Sequence, residues 1–311
     1  MPKKGGKKDK KPVIPPGMSE DLFRMSQDAQ MLVFIFKGAL VQLKEKPPVN
    51  ITKGQAAQFL WQLALSNKAK RDEMIGMTVW TGAISLISNG DRLDQTPSVG
   101  LLNCLSQIED WRMEIAQSRA TMPCVGLLGS TSPTAEMYSC WTLRNLCETP
   151  ESRKKVVKDM ADWVPLVKVL VEATIERTKG EAARILELCL THGEDTKSSV
   201  EAVQEAVVAA GGVNALLCVI KNKSSGAAGF VPRERAVCCL KVITPREEVK
   251  ADIMRLGGVE PLVELLAEPI DLVAKAAACE VLWHLTAMKE ERLPPRPKAP
   301  RASLIGDEEG V

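Results

Sequence analysis

The chain has 311 residues, of which 45% are apolar but only 4% aromatic, so Leu, Val, Ala, Ile and Met must fill its core and favour packed helices over sheets. No break between two globular domains is visible, and one core rarely serves more than about 250–300 residues, which argues against a single ordinary globular core. The net charge of +2 includes +5 from residues 1–18, which leaves −3 for the remainder, so the basic character is confined to one tail.

The amino-terminal tail, residues 1–18, is rich in lysine, glycine and proline and is predicted to be disordered. Clustered lysines favour contact with a polyanion, because they release counterions from phosphate or acidic surfaces. A nuclear-localisation signal and a solubilising arm are the other interpretations. The lysines concerned are Lys3, Lys4, Lys7, Lys8, Lys10 and Lys11.

A Leu-x-x-Leu/Ile pattern recurs through the body of the chain at a nearly constant interval. Its starts lie 42, 41, 42, 55 and 42 residues apart, at Leu60, Leu102, Leu143, Ile185, Leu240 and Leu282. A second apolar mark follows each of the first five starts, at Ile87, Leu128, Leu170, Ile220 and Leu266. Two interleaved apolar helices that repeat about every 42 residues predict an α-solenoid, in which each unit packs only on its neighbours.

Each unit is predicted to contain a short helix, a second apolar helix and a longer third helix, as in 151–160, 163–172 and 178–190. Pro123, Pro165 and Pro261 fall near the start of the second helix, where proline costs least. The pairs Gly211-Gly212 and Gly257-Gly258 precede that helix and predict a left-handed turn at the end of the short first helix.

Three segments resemble armadillo repeats: Trp141-Thr-Leu-Arg-Asn145-Leu-Cys, Val164-Pro-Leu-Val-Lys-Val-Leu and Leu256-Gly-Gly-Val-Glu-Pro-Leu. The resemblance implies an all-α fold, an armadillo-type right-handed superhelix over residues 19–293. It would consist of an amino-terminal cap at 19–66 and about five repeats, followed by a disordered tail at 294–311 that is first proline-rich and then acidic. HEAT repeats are the alternative, and the glycine-containing turns argue against them.

The interval of 55 marks an irregular unit. Part of the extra length, around His192 to Val207, is predicted to lengthen a short first helix because its apolar residues keep helical spacing. The rest, Lys221 to Pro232, is predicted to be a loop that exposes Phe230. Insertions in solenoids often map to a binding face, although a tolerated surface insertion explains the same residues.

The groove formed by third helices is the predicted binding surface. Trp141 and Asn145 lie four residues apart, and in armadillo proteins that resemble nuclear-import receptors such pairs bind extended basic peptides. Here the pair occurs once among six aligned positions, so an import-like function is the alternative to a general scaffold. The other predicted groove residues are Arg144, Arg184, Glu187, Lys241, Glu280 and His284.

Motifs for catalysis or cofactor binding are missing. No Cys-x-x-Cys, Gly-x-Gly-x-x-Gly, P-loop or Gly-x-Ser-x-Gly occurs, and the two histidines, His192 and His284, belong to different repeats. We therefore expect no enzyme activity, cofactor, metal or small-molecule substrate. The nine cysteines are expected to be mostly buried free thiols. The longest apolar run, Met31 to Leu43, is shorter than the roughly 20 residues a membrane span needs.

The sequence thus predicts a non-enzymatic cytoplasmic scaffold that holds partner proteins along its groove. The opening Met-Pro-Lys-Lys-Gly-Gly-Lys-Lys resembles the start of many ciliary and flagellar proteins, which favours an axonemal component with axonemal or tubulin-associated partners. A nuclear adaptor and tail-led binding of nucleic acid or microtubules are the alternatives.

Overall fold

The structure is a computed structural model that describes residues 51–66, 68–191, 197–223 and 227–287, together with Val33. Within these residues the chain forms sixteen α-helices, one short 3-10 helix at Glu109–Trp111 and no strand. The helices are α1 Lys53–Ser66, α2 Lys68–Gly76, α3 Trp80–Asn89, α4 Arg92–Ser106, α5 Arg112–Gln117, α6 Thr121–Leu127, α7 Pro133–Glu148, α8 Pro150–Asp159, α9 Val164–Glu172, α10 Glu176–Thr191, α11 Lys197–Ala209, α12 Gly212–Lys221, α13 Ala227–Ile243, α14 Glu247–Arg255, α15 Val259–Ala267 and α16 Leu272–Thr286. The lysine tail, nearly all of the predicted cap before residue 51, His192 and the segment 294–311 lie outside the described residues.

The helices after α1 group into five units of three, which begin at α2, α5, α8, α11 and α14. The third helices α1, α4, α7, α10, α13 and α16 contact one another in chain order, and the second helices α3, α6, α9, α12 and α15 form a parallel layer behind them. The apolar core runs unbroken through all units, since its buried side chains form one cluster. This arrangement confirms the predicted all-α solenoid of three-helix units.

The third helices begin where the sequence provides caps. At α1, Thr52 and Gln55 satisfy each other's backbone N–H groups through their side chains, at 2.9 and 3.2 Å. The Asp91 carboxylate accepts from two backbone N–H groups at the start of α4. At α7 the Ser132 hydroxyl accepts from the backbone N–H of Ala135 at 3.3 Å. These caps fix the register of the layer that carries the candidate site.

A left-handed residue joins the first to the second helix in four of the five units. Gly211 and Gly257 have φ of 85° and 65°, as the glycine pairs predict. The same turn is made by Thr78 at φ 49° and Arg119 at φ 63°, which the sequence did not reveal. Because a side chain in this region costs roughly 1–2 kcal/mol, the recurring turn is imposed by the packing of the units and not by glycine alone.

The two insertions of the irregular unit have different structures. The first gives α11, which at 13 residues is the longest of the first helices, so the lengthened helix is confirmed. The predicted loop up to Pro232 is wrong beyond residue 226, because α13 begins at Ala227 and contains both Phe230 and Pro232. Pro232 packs against α10, where its Cγ lies 3.4 Å from the position that a β-carbon at Gly180 would take, an ordinary contact distance. Packing against α10 therefore overrides the helix-breaking residues.

The final helix leaves one side uncovered by the described residues. Leu272, Val273 and Trp283 of α16 are 78%, 64% and 66% exposed. In earlier units the corresponding helix packs against the unit that follows, and none follows α16 within the described residues. The exposed apolar side chains thus mark the carboxyl end of the described solenoid.

Six of the nine cysteines are buried, as predicted, and Cys218 and Cys279 are exposed. The sulfurs of Cys147 and Cys189, in neighbouring third helices, lie 3.9 Å apart as free thiols. Burial raises the pKa of Cys104 to about 11, so this thiol stays protonated at neutral pH.

Within the described residues no single helix has the length and apolar character to cross a bilayer. One pair, Val200–Ala209 with Gly212–Lys221, meets that test jointly by length and composition, with a bend of 72° between its members.

Candidate protein-binding groove

A row of aromatic rings runs from α1 over α4 to α7, which are the first three helices of the groove layer. The ring of Trp61 from α1 meets the edge of Tyr138 from α7, with centroids 5.1 Å apart and planes at 83°. Tyr138 in turn meets Trp141 at 5.5 Å and 89°. Such edge-to-face pairs are the preferred geometry of aromatic side chains. All three rings are half-buried, so each keeps one part of its surface available to a ligand.

The row spans α4 because Gly100 of that helix has no side chain. A β-carbon at Gly100 would lie 2.6 Å from the nearest ring atom of Trp61, which is closer than any packed carbon atoms. The indole therefore lies directly on the backbone of α4 and reaches the next helix but one. Relative to the Leu-x-x-Leu pattern, Gly100 occupies the same position as Trp141 in the next unit, so from the sequence alone it indicates only that a tryptophan is missing. The sequence alone did not reveal that the indole of Trp61 packs on Gly100.

The Trp141 ring makes a cation–π contact with an arginine of the same chain. The guanidinium carbon of Arg177, on α10, lies 4.6 Å from the centroid of the Trp141 ring, within the range of a cation–π interaction. The side chain of Arg177 is itself exposed. One face of the Trp141 ring, of the kind that could cradle a lysine or arginine of a partner, is thus already covered by Arg177.

Asn145, the predicted companion of Trp141, lies inside the solenoid. It is only 2% exposed, and its amide nitrogen donates to the hydroxyl of Ser106 on α4 at 2.9 Å. The amide therefore joins two neighbouring units. Because the amide is buried, it is out of reach of the backbone of an extended peptide. Of the predicted pair, Trp141 therefore lies at the groove surface and Asn145 lies between two units.

The other predicted groove residues form an ion-pair ladder that links successive third helices. Arg184 of α10 donates to Glu187 at 3.0 Å and to Glu148 of α7 at 3.5 Å. Burial alone would lower the pKa of Arg184, but these carboxylates outweigh it and raise the pKa above its usual value. The remaining inter-helix rungs are Arg144 with Glu181 at 3.2 Å, Arg235 with Glu187 at 3.0 Å and Lys241 with Glu280 at 3.1 Å. Sequence analysis identified Arg144, Arg184, Glu187, Lys241 and Glu280, and missed Glu148, Glu181 and Arg235.

His284 lies on α16, at the opposite end of the layer from the aromatic row and one helical turn after Glu280 of the ladder. Its ring is 4.9 Å from that of Trp283 on the exposed side of α16. Phe230 lies in α13, so its predicted placement in a loop is wrong, and its contact with a partner stays a prediction. No group of three or more His, Cys, Asp or Glu side chains able to hold a metal ion occurs among the described residues.

The arrangement is suited to holding a ligand along the layer. The aromatic row offers half-exposed apolar faces, and the ladder offers carboxylates and guanidinium groups fixed by their partners. Ion pairs that link neighbouring helices hold their side chains in place, which lowers the entropy lost when a partner binds. The absence of enzyme activity and the roles of the individual groove residues stay predictions.

No protein-family model matches the chain, and no curated protein matches it. Solved structures do match. A computationally designed armadillo repeat protein for modular peptide recognition is 17% identical, with a TM-score of 0.63 over 82% of this chain and 98% of its own. A designed armadillo repeat protein in complex with the peptide (KR)4 is 16% identical, with a TM-score of 0.61 over 83% of this chain and 99% of its own.

An engineered protein from a structural genomics programme is 21% identical, with a TM-score of 0.61 over 83% of this chain and 96% of its own. Identities this low bear on the fold and leave function open. Together with the three-helix units and their left-handed turns, the matches show that the chain has an armadillo-type repeat fold, as the sequence predicted.

Proposed function

We propose that this chain is a protein-binding scaffold that holds a segment of a partner protein against the layer of third helices. The single observation that carries the proposal is the continuity of that surface: a partly exposed aromatic row passes directly into a ladder of ion pairs between neighbouring helices. The aromatic faces would bury apolar side chains of the partner, and the ladder would bind its polar groups. Aromatic and arginine side chains are the types that dominate binding energy at interfaces.

The fold supports the same proposal by analogy. Two of the matching designed armadillo proteins are described by their peptide recognition. Because a shared fold does not establish a shared ligand, the analogy supports the class of partner and not its sequence.

The test is affinity capture with crosslinking mass spectrometry on the full chain. The groove variant replaces Tyr138 and Trp141 by Ala, and the control replaces Met122 by Ala. Met122 is 50% exposed on α6, in the layer of second helices. We expect the groove variant to lose captured proteins that the control retains, with both variants checked for helical content by circular dichroism. A folded groove variant that captures the unchanged set of proteins would refute the proposal.

We further propose the axoneme as the place where this scaffold works. The support is the resemblance of the lysine-rich start to ciliary proteins, combined with the solenoid. The test expresses a tagged full chain in ciliated cells, beside a variant in which the six lysines of residues 1–18 are replaced by Gln. Uniform cytoplasmic or nuclear signal for the unaltered chain would refute this assignment. Axonemal signal that survives the lysine replacement would assign the targeting to the solenoid and not to the tail.

A further inference from the structure

Among the charged side chains that face one another in the groove from α7 to α16, one cation has no carboxylate partner within the described residues. From α7 to α16 the facing side chains comprise five cations, Arg144, Arg177, Arg184, Arg235 and Lys241, and four carboxylates, Glu148, Glu181, Glu187 and Glu280. Every one of these carboxylates lies within 4 Å of a cation. Arg177 alone in this set has an aromatic ring for its neighbour and no ion pair within the described part of the chain.

The position of Arg177 makes it suitable for a ligand. On α10 it precedes Glu181 by four residues and Arg184 by seven, which places all three on one face of the helix. Its side chain is exposed, and Trp141 holds its guanidinium over the ring at 4.6 Å. An arginine packed on an aromatic ring keeps N–H groups at its edge, and their fork geometry matches the two oxygens of a carboxylate.

The same contact disfavours a basic ligand. The attraction of Trp141 for a cation is satisfied within the chain, and a lysine or arginine arriving from a partner would meet the positive charge of Arg177 at the same ring. Like charges brought together at an interface suppress the wrong partner. The cation–π contact therefore acts as a selection against basic peptides.

We infer that the partner contributes a carboxylate, from Asp, Glu or a chain terminus, which pairs with Arg177 beside apolar side chains bound by the aromatic row. This inference rests on the proposed function, because it names the chemistry of a segment that the groove must first bind. It concerns one charged position within a mixed segment and not a uniformly acidic polymer, since the rest of the ladder is neutralised by its own partners.

The test selects phage-displayed random 12-residue peptides on the full chain and on three variants, Arg177→Gln, Arg177→Glu and Arg255→Gln. Arg177→Gln removes the charge but keeps a hydrogen-bonding side chain of similar length. Arg255→Gln is the matched control, because Arg255 is 66% exposed on α14, a first helix outside the groove layer. Peptides selected on the unaltered chain are expected to carry Asp or Glu at one shared position, next to apolar residues.

The affinity of such a peptide should fall roughly 10- to 100-fold on Arg177→Gln, which is the range for losing a hydrogen-bonded charge pair. It should stay unchanged on Arg255→Gln. Selection on Arg177→Glu should replace the acidic preference by Lys or Arg at the same position.

The outcomes separate the two proposals. Peptides that depend on Tyr138 and Trp141 but show no acidic position, or prefer a basic one on the unaltered chain, would overturn the inference and leave the binding groove intact. Failure to select any peptide that depends on these two aromatic residues would count against the groove itself, and the inference would fall with it.

Discussion

Replacing Gly100 by Ala should destabilise the protein, although the same change inside most helices stabilises it. Gly100 lies within α4 and is buried, and an alanine in a helix interior is normally worth about 1 kcal/mol over glycine. Here the added methyl group would lie 2.6 Å from one ring atom of Trp61 and 2.8 Å from two more. Distances this short oblige the indole to move.

The size of the effect follows from what the indole loses. Forcing an extra carbon into a well-packed site costs about 1–3 kcal/mol. Trp61 would also leave its edge-to-face contact with Tyr138 at 5.1 Å, a contact worth roughly 0.5–1.5 kcal/mol. Part of this loss is already included in the overpacking cost, and the gain in helix propensity offsets about 1 kcal/mol. We expect a net loss of roughly 1 kcal/mol in the free energy of unfolding.

The assay is denaturant unfolding followed by circular dichroism, in a double-mutant cycle with Trp61→Ala. Once the indole is absent, the alanine at position 100 has no obstacle and should stabilise the chain by up to about 1 kcal/mol. Gly126→Ala in α6 is the matched control, because no atom lies within 4 Å of the position its methyl group would take. A stabilising Gly100→Ala, or one with the same sign in both backgrounds, would refute the packing of Trp61 on Gly100.

Three further predictions concern the layer and its surroundings. Asn145→Ala should lower the free energy of unfolding by about 1–3 kcal/mol, because it removes a buried hydrogen bond between units; an unchanged denaturation midpoint would contradict the buried placement. Arg119→Gly should leave the free energy of unfolding unchanged or raise it by up to about 1 kcal/mol, because glycine relieves the left-handed strain but increases the entropy of the unfolded chain. A decrease of more than about 1 kcal/mol would show that the Arg119 side chain stabilises the fold. Among the cysteines, Cys218 and Cys279 should be alkylated first at neutral pH, because both are exposed. Cys104, with its pKa raised to about 11, should react only after unfolding. Mass spectrometry of partly alkylated protein shows the order in which the cysteines react.

The solenoid could be predicted because its rules are local. A third helix is recognised by apolar residues at i and i+3, and the turn before a second helix by a pair of glycines. Both signals repeat within each unit and need no knowledge of distant residues. Where the turn is made by Thr78 and Arg119 the glycine signal is missing, and only the packing of the flanking helices imposes the left-handed residue.

The aromatic row could not be predicted in the same way, because it depends on three units at once. Trp61 reaches Tyr138 only when α4 lies between α1 and α7 at the spacing set by the solenoid, and only because Gly100 leaves that space empty. The available signal was a glycine aligned with Trp141 in the next unit. Without the three-dimensional structure, a glycine at that position indicates that a groove side chain is missing. It does not indicate that the indole of Trp61 packs on it.

The division of Trp141 from Asn145 follows from helix geometry. An α-helix turns about 100° per residue, so residues four apart differ by about 40° around the axis. On a helix that packs against neighbours on both sides, 40° is enough to carry one side chain from the groove face into the contact with α4. The sequence spacing predicts that both residues lie on one face of the helix. In the packed layer that face is divided, so that the Trp141 ring lies at the surface and the Asn145 amide lies in the interior.

One position of the third helix links stability and recognition in four of the six third helices. Trp61, Arg144, Lys241 and Trp283 are equivalent by the Leu-x-x-Leu register, and the first three each reach the following unit: onto Gly100, to Glu181 and to Glu280. At α16 no described unit follows, and Trp283 is 66% exposed. The surface proposed to bind a partner is thus built from the contacts that couple neighbouring units. Loss of partner affinity in a groove variant therefore identifies a binding residue only when its free energy of unfolding is unchanged, which makes the exposed Arg177 a cleaner probe of recognition than the half-buried rings beside it.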